Sequence, residues 1–410
     1  MSEILGIITE YNPFHNGHLY HLAESKRKTH ADFVICVMSG NFVQRGNPSL
    51  INKWTKTEMA LLNGVDLVIE LPTVYATSSA ENFAEGAIKI LNSLKIVNHI
   101  SFGCESCDID TLNKLANVLY EEPKEYTALL SHELKKGHSF PKARENAVLM
   151  YLNDLSSFSN ILSKPNNILA IEYLKALRKT KSKMKPMAVK RQKVYYHEKC
   201  IVDEYASSTG IRDMMRHNEF KDIRRVMPSS AYGLLREEYK KGNYMFDLSK
   251  FEHEIIYLLR RMTLEEIKKY PDVGEGLENL LKSAANESNT LYDLINIIKS
   301  KRYTQTRIQR ILLHILLGIQ EKDMQVAKKI TPYIRVLGFN DNGRMLLSKI
   351  TKANPKLSMI TSVKKYMDQC TNKQLKNMLE KDVFATNIYT LGYEYDSWAN
   401  LDYTQKIVTI

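Results

Sequence analysis

Residues 4–9 (ILGIIT) form a short apolar run that stops at the turn signal Tyr11-Asn12-Pro13, after which Leu19, Leu22 and Ala23 recur at helical spacing. That change of period predicts a buried strand feeding a helix. Similar runs at 33–38 (FVICVM), 65–69 (VDLVI), 96–101 (IVNHIS) and around 187–196 (MAVKRQKVYY) predict further strands. Between them TKTEMALLNG at 55–64 and AENFAEGAIKILNSL at 80–94 predict helices, the second capped by Ser78-Ser79. The strands are apolar throughout rather than in alternation, the pattern of a parallel sheet covered on both faces. Residues 1–215 therefore read as an α/β domain with a doubly wound parallel sheet.

Beyond residue 215 the strand signal fades. The stretches 251–269, 275–299, 304–320, 342–350 and 372–380 carry apolar residues at helical spacing, as in Ile308, Ile311, Leu312, Ile315 and Leu316. Residues 216–410 are expected to form a second, mostly helical domain. Charge divides along the same line. The chain of 410 residues carries +12 at pH 7; residues 1–215 hold 26 basic and 23 acidic side chains, and residues 216–410 hold 32 and 23. A basic half of this kind points to a polyanionic partner. The segment 175–199, with ten Lys/Arg against Glu198 alone, is either a solvated loop or an arm for phosphates. Composition is that of a globular protein, with no apolar run long enough for a spanning helix and no signal-type start. Five scattered cysteines suggest a reducing, cytoplasmic setting. Cys104-x-x-Cys107 has half a zinc spacing without a second pair, so free thiols are expected and no metal site.

The chemistry concentrates just after the first strand, in Asn12-Pro13-Phe14-His15-Asn16-Gly17-His18. Histidines three apart in a first helical turn project to one side, beside backbone N–H groups and the positive end of the helix dipole. Gly17 is expected to let a phosphate approach the backbone. Such an assembly suits a triphosphate attacked at its α-phosphorus, with the imidazoles donating to oxygens that gain charge. A second element, Tyr205-Ala206-Ser207-Ser208-Thr209-Gly210-Ile211-Arg212, places hydroxyls and a glycine ahead of an arginine, a cradle for the outer phosphates. His15, His18, Ser208 and Arg212 are the expected catalytic residues.

This pair resembles the HIGH and ISTSKIR-type motifs of the nucleotidyltransferase superfamily, which implies a five-stranded parallel sheet with ATP across its carboxyl edge. A closer resemblance is carried by GIITEYNPFHNGHLYHL (6–22), MSGNFVQRGNPSLINKWTKTEMALLNGVDLVIELP (38–72), SFGCES (101–106), PNNILAIEYLKAL (165–177) and KRYTQTRIQRILLHILLGI (301–319). Over nearly its whole length the chain is similar to the bacterial tRNA(Met) cytidine acetate ligases. The resemblance implies ATP-dependent ligation of acetate to N4 of the wobble cytidine of elongator tRNA(Met), through acetyl-adenylate. It also implies ATP contacts along Ile7, Ile8, Thr9, Glu10, Tyr11, Asn12, Pro13, Phe14, His15, Asn16, Gly17, His18, Leu19 and Tyr20. Further contacts fall at Gly103, at Asn166 or Asn167, and at Lys190-Arg191. Mg²⁺ is expected to accompany the ATP.

Lys301, Arg302, Arg307 and Arg310 form a basic face on a predicted helix, expected to meet RNA phosphates. Arg45 and Lys53 either touch phosphate or RNA or line the surface, and Asp66 and Glu70 read as strand-end caps. Two rival readings remain at this level: a small-molecule nucleotidyltransferase, which has no use for a basic helical half, and an RNA-binding protein with a silent nucleotide fold.

Overall fold

A computed structural model of the chain describes residues 2–105, 108–153, 161–191, 204–300, 302–395 and 397–410. β1 (Ile4–Thr9) leads into helix α1 (Asn16–Thr29), and β2 (Phe33–Ser39) into a small ribbon of β3 (Phe42–Val43) and β4 (Asn47–Pro48). Helix α2 (Lys53–Leu62), β5 (Leu67–Leu71), β6 (His99–Cys104) and β7 (Lys185–Lys190) follow. The five expected strands are thus present, and they lie in the order β5-β2-β1-β6-β7, all parallel. In β1 the pairing is set by Ile7, opposite Cys36 on one side and Ser101 on the other.

The unbroken apolar runs are explained by two cores. Along β2, Ile35 and Val37 enter one buried cluster while Val34, Cys36 and Met38 enter the other. Since strand side chains alternate in direction, a strand buried on both faces must be apolar at every position. One face is covered by α1, α2 and the helices Ser208–Arg216, Phe220–Val226 and Ser229–Lys240. The other is covered by Ala80–Ser93 and Pro165–Lys179, and its cluster continues without a break into the helices between Glu252 and Thr390.

The helical half differs from the expectation in one respect. It supplies three strands to the same sheet: β8 (Ile334–Phe339), β9 (Met359–Ile360) and β10 (Val408–Thr409). β8 runs antiparallel to β5, and β9 and β10 pair with its far edge. The line drawn at residue 215 falls inside the helix Ser208–Arg216.

A buried ionic cluster seals this junction. Lys53 Nζ lies 2.9 Å from Glu70 Oε1 and 2.7 Å from Asp402 Oδ1, and Arg335 bridges Glu70 and Asp402. All four side chains are excluded from solvent. Lys53 is therefore a structural cation and not a phosphate or RNA contact. Asp66 is likewise structural: its carboxylate accepts from the Val34 N–H and from the Asn340 and Asn342 side chains.

Candidate active site

The strand order reverses at β1. From β1 the chain moves outward through β2 and β5, then crosses back to place β6 on the other flank. In an open α/β sheet the crevice outside the carboxyl ends of the strands at such a reversal is where ligands bind. His15, His18, Gly103, Asn166 and Arg191 border it.

His15 is the N-cap of α1, and its own side chain makes the cap: Nδ1 accepts from the Gly17 N–H at 3.0 Å. His18 Nδ1 in turn accepts from the His15 N–H at 3.3 Å, a reciprocal capping box built from two imidazoles. The rings stack with centroids 3.8 Å apart. Tyr11 sets its edge against His18 at 4.9 Å, and the Phe14 ring lies tilted to it at 5.7 Å. Burial, reinforced by the nearby Arg191 guanidinium, pushes His15 down to about 3; burial, His15 and Arg191 hold His18 well below its usual value. Both rings are neutral at pH 7. Because each Nδ1 accepts, the hydrogen of each ring sits on Nε2, and the site holds two imidazole N–H donors.

This corrects the expected use of the helix terminus. The Gly17 N–H is taken by the His15 ring and the His18 N–H by the His15 carbonyl at 2.8 Å, so the imidazoles stand in for backbone donors. A Cβ on Gly17 would lie 2.8 Å from His15 Cε1. The residue is glycine for the sake of the ring that caps it.

The remaining loop is braced from below. Asn12 Oδ1 accepts from Leu50 N–H at 2.6 Å, and its carbonyl accepts from Arg212 at 2.8 Å. Arg212 also donates to Thr209 Oγ1 at 3.2 Å. Ser207, and not Ser208, caps this second helix, accepting from Gly210 N–H at 3.0 Å; Ser208 is the first helical residue and half-buried. Asn16 donates to the carbonyls of Glu204 (2.9 Å) and Arg225 (3.1 Å), fastening the loop to the elements around the second motif. Glu10 holds Gln44 N–H at 2.8 Å.

On the β6–β7 side, Gly103 faces the Arg191 side chain, whose Cγ would be 3.5 Å from a Cβ there. Asn166 Oδ1 meets Arg191 at 3.5 Å, and its amide donates to Glu105 at 2.6 Å. Asn167 is fully buried, accepting from Glu105 N–H at 2.9 Å and donating to the Ile161 carbonyl. Lys190 is exposed at the end of β7. The structure therefore puts Asn166 and Arg191 at the crevice, with Asn167 buried behind them and bonded to Glu105.

A family model described as HIGH Nucleotidyl Transferase matches residues 2–403. A tRNA(Met) cytidine acetate ligase of Thermoanaerobacter sp. (strain X514) is 46% identical over 410 residues, covering 99% of this chain and 100% of that protein. Another, from Caldanaerobacter subterraneus subsp. tengcongensis, is 45% identical and covers all of both chains. The chain belongs to the tRNA(Met) cytidine acetate ligase family. Its fold matches apo Thermotoga maritima TmcAL at a TM-score of 0.94 and 33% identity, over 100% of this chain and 99% of that one. The same protein bound with alpha-thio ATP matches at 0.92 and 32% identity.

Set against this ligase family, the basic face is only partly what the pattern suggested. Arg302 is exposed and paired with Glu275; Arg307 donates to the Asp272 carbonyl at 2.8 Å; Arg310 is largely covered and faces Asp272 at 3.6 Å. Lys301 and residues 192–199 of the basic segment lie outside the described residues. Cys104 is disulfide-bonded, contrary to the free thiol expected, while Cys36 and Cys370 are free.

Sequence reasoning passed over two side chains. His21, one turn beyond His18, bonds Ser101 at 3.1 Å and is pushed down to about 4, chiefly by burial; the third histidine at helical spacing was the available signal. Lys56 is fully buried and donates to the carbonyls of Glu10 (3.0 Å), Ser39 (2.9 Å) and Gly40 (2.8 Å), tying together the carboxyl ends of β1 and β2. Nothing in its neighbours' identities marks it out.

Proposed function

We propose that this chain ligates acetate to N4 of the wobble cytidine of elongator tRNA(Met), consuming ATP. The observation that carries the reading is the stacked pair of neutral imidazoles at the switch-point crevice, in a chain that matches an ATP-analogue-bound TmcAL from end to end. In the first step an acetate oxygen attacks the α-phosphorus and the bond to the β-phosphate breaks, releasing pyrophosphate. Acetate is already ionised at pH 7 and requires no base. The demand is to hold an anion against a polyanion and stabilise charge in transfer. His15 and His18 Nε2–H donate to the α-phosphate oxygens, with Arg191 alongside; Arg212 holds the Asn12 carbonyl and Ser208 lies at the rim for the outer phosphates. Mg²⁺ bound with the triphosphate would neutralise phosphate charge there, beside the donors that His15, His18 and Arg191 present.

In the second step the cytosine amine attacks the acetyl carbon, AMP departs with the anhydride electrons, and the amine proton is lost to solvent. The amine is a poor nucleophile, its lone pair delocalised into the ring, so an acyl-phosphate anhydride is required. The basic half holds the RNA in the cytoplasm, with Arg302 and Arg307 meeting phosphates while the covered Arg310 braces the loop at Asp272.

Acetate-dependent ATP–pyrophosphate exchange is the direct test. His18→Ala is expected to lower it about 100–1,000-fold, the usual cost of one oxyanion donor, with circular dichroism unchanged. Exchange that ignores acetate overturns the order of steps. Mass analysis of tRNA nucleosides after incubation with ATP and labelled acetate should show labelled N4-acetylcytidine; an unlabelled product spectrum rejects the ligase.

A further inference from the structure

Four residues after Arg212, on the same face of its helix and about 6 Å along the axis, lies Arg216. Its guanidinium sits 4.7 Å over the Phe246 ring. Phe246 begins a row of rings: Tyr244 at 5.4 Å, Tyr239 stacked on Tyr244 at 4.9 Å, then Phe220 at 4.7 Å, which Arg236 covers at 4.1 Å. The row lies at the surface, half-buried along its length, with Arg216 exposed at its end. It is extended by the segment after Thr390. Tyr244 donates to Glu394 at 2.5 Å, and the ring of Tyr395 rests on Gly242, where a Cβ would come within 2.9 Å of it. Tyr395 is 67% exposed, and Trp398, three residues on, is 82% exposed.

We infer that this row is a platform on which unpaired RNA bases stack, its occupant the loop that delivers the cytidine to the His15–His18 crevice. The inference rests on the ligase reading above. Three observations point to RNA and not to a protein partner. Residues 216–247 carry seven Lys/Arg against five Asp/Glu, with Asp247 paired to Arg216, so the stretch that bears the rings is net basic. Both ends of the row are guanidinium planes, which stack on bases as well as on rings. The row is also fastened to the active-site loop, because Asn16 donates to the carbonyl of Arg225 in the helix that Phe220 opens. A cytidine turned out of its stack leaves its neighbours without partners, and aromatic faces beside the crevice supply them.

The test uses the full chain and two RNAs, an anticodon stem-loop and the same sequence closed into a duplex, each bound at several salt concentrations. Tyr395→Ala and Trp398→Ala replace exposed rings, and Tyr395→Phe and Trp398→Phe restore them. Each alanine change is expected to weaken stem-loop binding about fivefold or more. Duplex binding and the salt slope should be unmoved, because no phosphate contact is lost, and the phenylalanine changes should recover affinity. Acetate-dependent exchange, which requires no RNA, should be unchanged in all four. Equal losses on both RNAs, or no loss on either, overturn the platform. So does a change of sedimentation with RNA binding intact, which would assign the rings to a second copy of the chain. Absence of exchange in the unaltered protein rejects the ligase reading without deciding the platform.

Discussion

Two imidazoles that cap each other's backbone are a demanding use of histidine, because each must stay uncharged to do it. In the unfolded chain a histidine titrates near 6.5, whereas His15 is held to about 3 and His21 to about 4. Between those values the unfolded chain takes up protons that the fold excludes, so stability is present above pH 6.5 and falls as the pH drops toward 4. His15→Asn keeps a capping acceptor but removes a titrating ring. Urea midpoints measured from pH 7 to pH 4 should then fall less steeply than in the unaltered chain. Lys56 behaves differently. Burial, opposed by Glu10, Glu70 and Cys36 and aided by Lys53, pushes it down to about 7. Above that pH the ammonium loses one of the three hydrogens that tie Glu10, Ser39 and Gly40. The KM for ATP should rise from pH 7 to pH 9; in Lys56→Met it should be high throughout and flat. The HxGH pair was legible in the sequence because spacing alone puts both rings on one side. The donor assignment was not, since it depends on which nitrogen each backbone N–H finds.

At the scale of elements, the five parallel strands could be read from the chain because burial on both faces leaves no polar position to blur them. β8 could not. Ile334–Phe339 carries Arg335 in mid-strand, and a buried cation makes sense only with Glu70 and Asp402 in place. Helical spacing was a sound guide elsewhere, with 304–320 and 342–350 falling on the helices Gln305–Leu317 and Asp341–Ala353. The second of these docks closely: a Cβ on Gly343 would sit 2.0 Å from the Asp66 carbonyl oxygen. Gly343→Ala must push that helix off β5, and overpacking of this kind costs about 1–3 kcal/mol. Thermal unfolding should show the loss, with ATP–pyrophosphate exchange retained below the new midpoint.

Across the whole molecule, strand-rich and helix-rich halves share both apolar clusters and one ionic cluster, so the halves are not free to part. Lys53, Glu70, Arg335 and Asp402 come from α2, β5, β8 and the turn of helix at Leu401–Thr404. Removing one member leaves the others charged and dry. Asp402→Asn is expected to cost about 3–5 kcal/mol, and the loss should appear as one cooperative transition in which both halves melt together. A two-step melt would show that the halves stand independently.

The same closure has a consequence for how the protein is made. β5 leaves the ribosome early, with one edge bare and with Lys53 and Glu70 lacking two of their partners. Arg335, β8 and Asp402 follow only after the intervening helices have been translated, on the order of tens of seconds later. Through that interval the nascent nucleotide fold presents an unpaired hydrophobic strand edge.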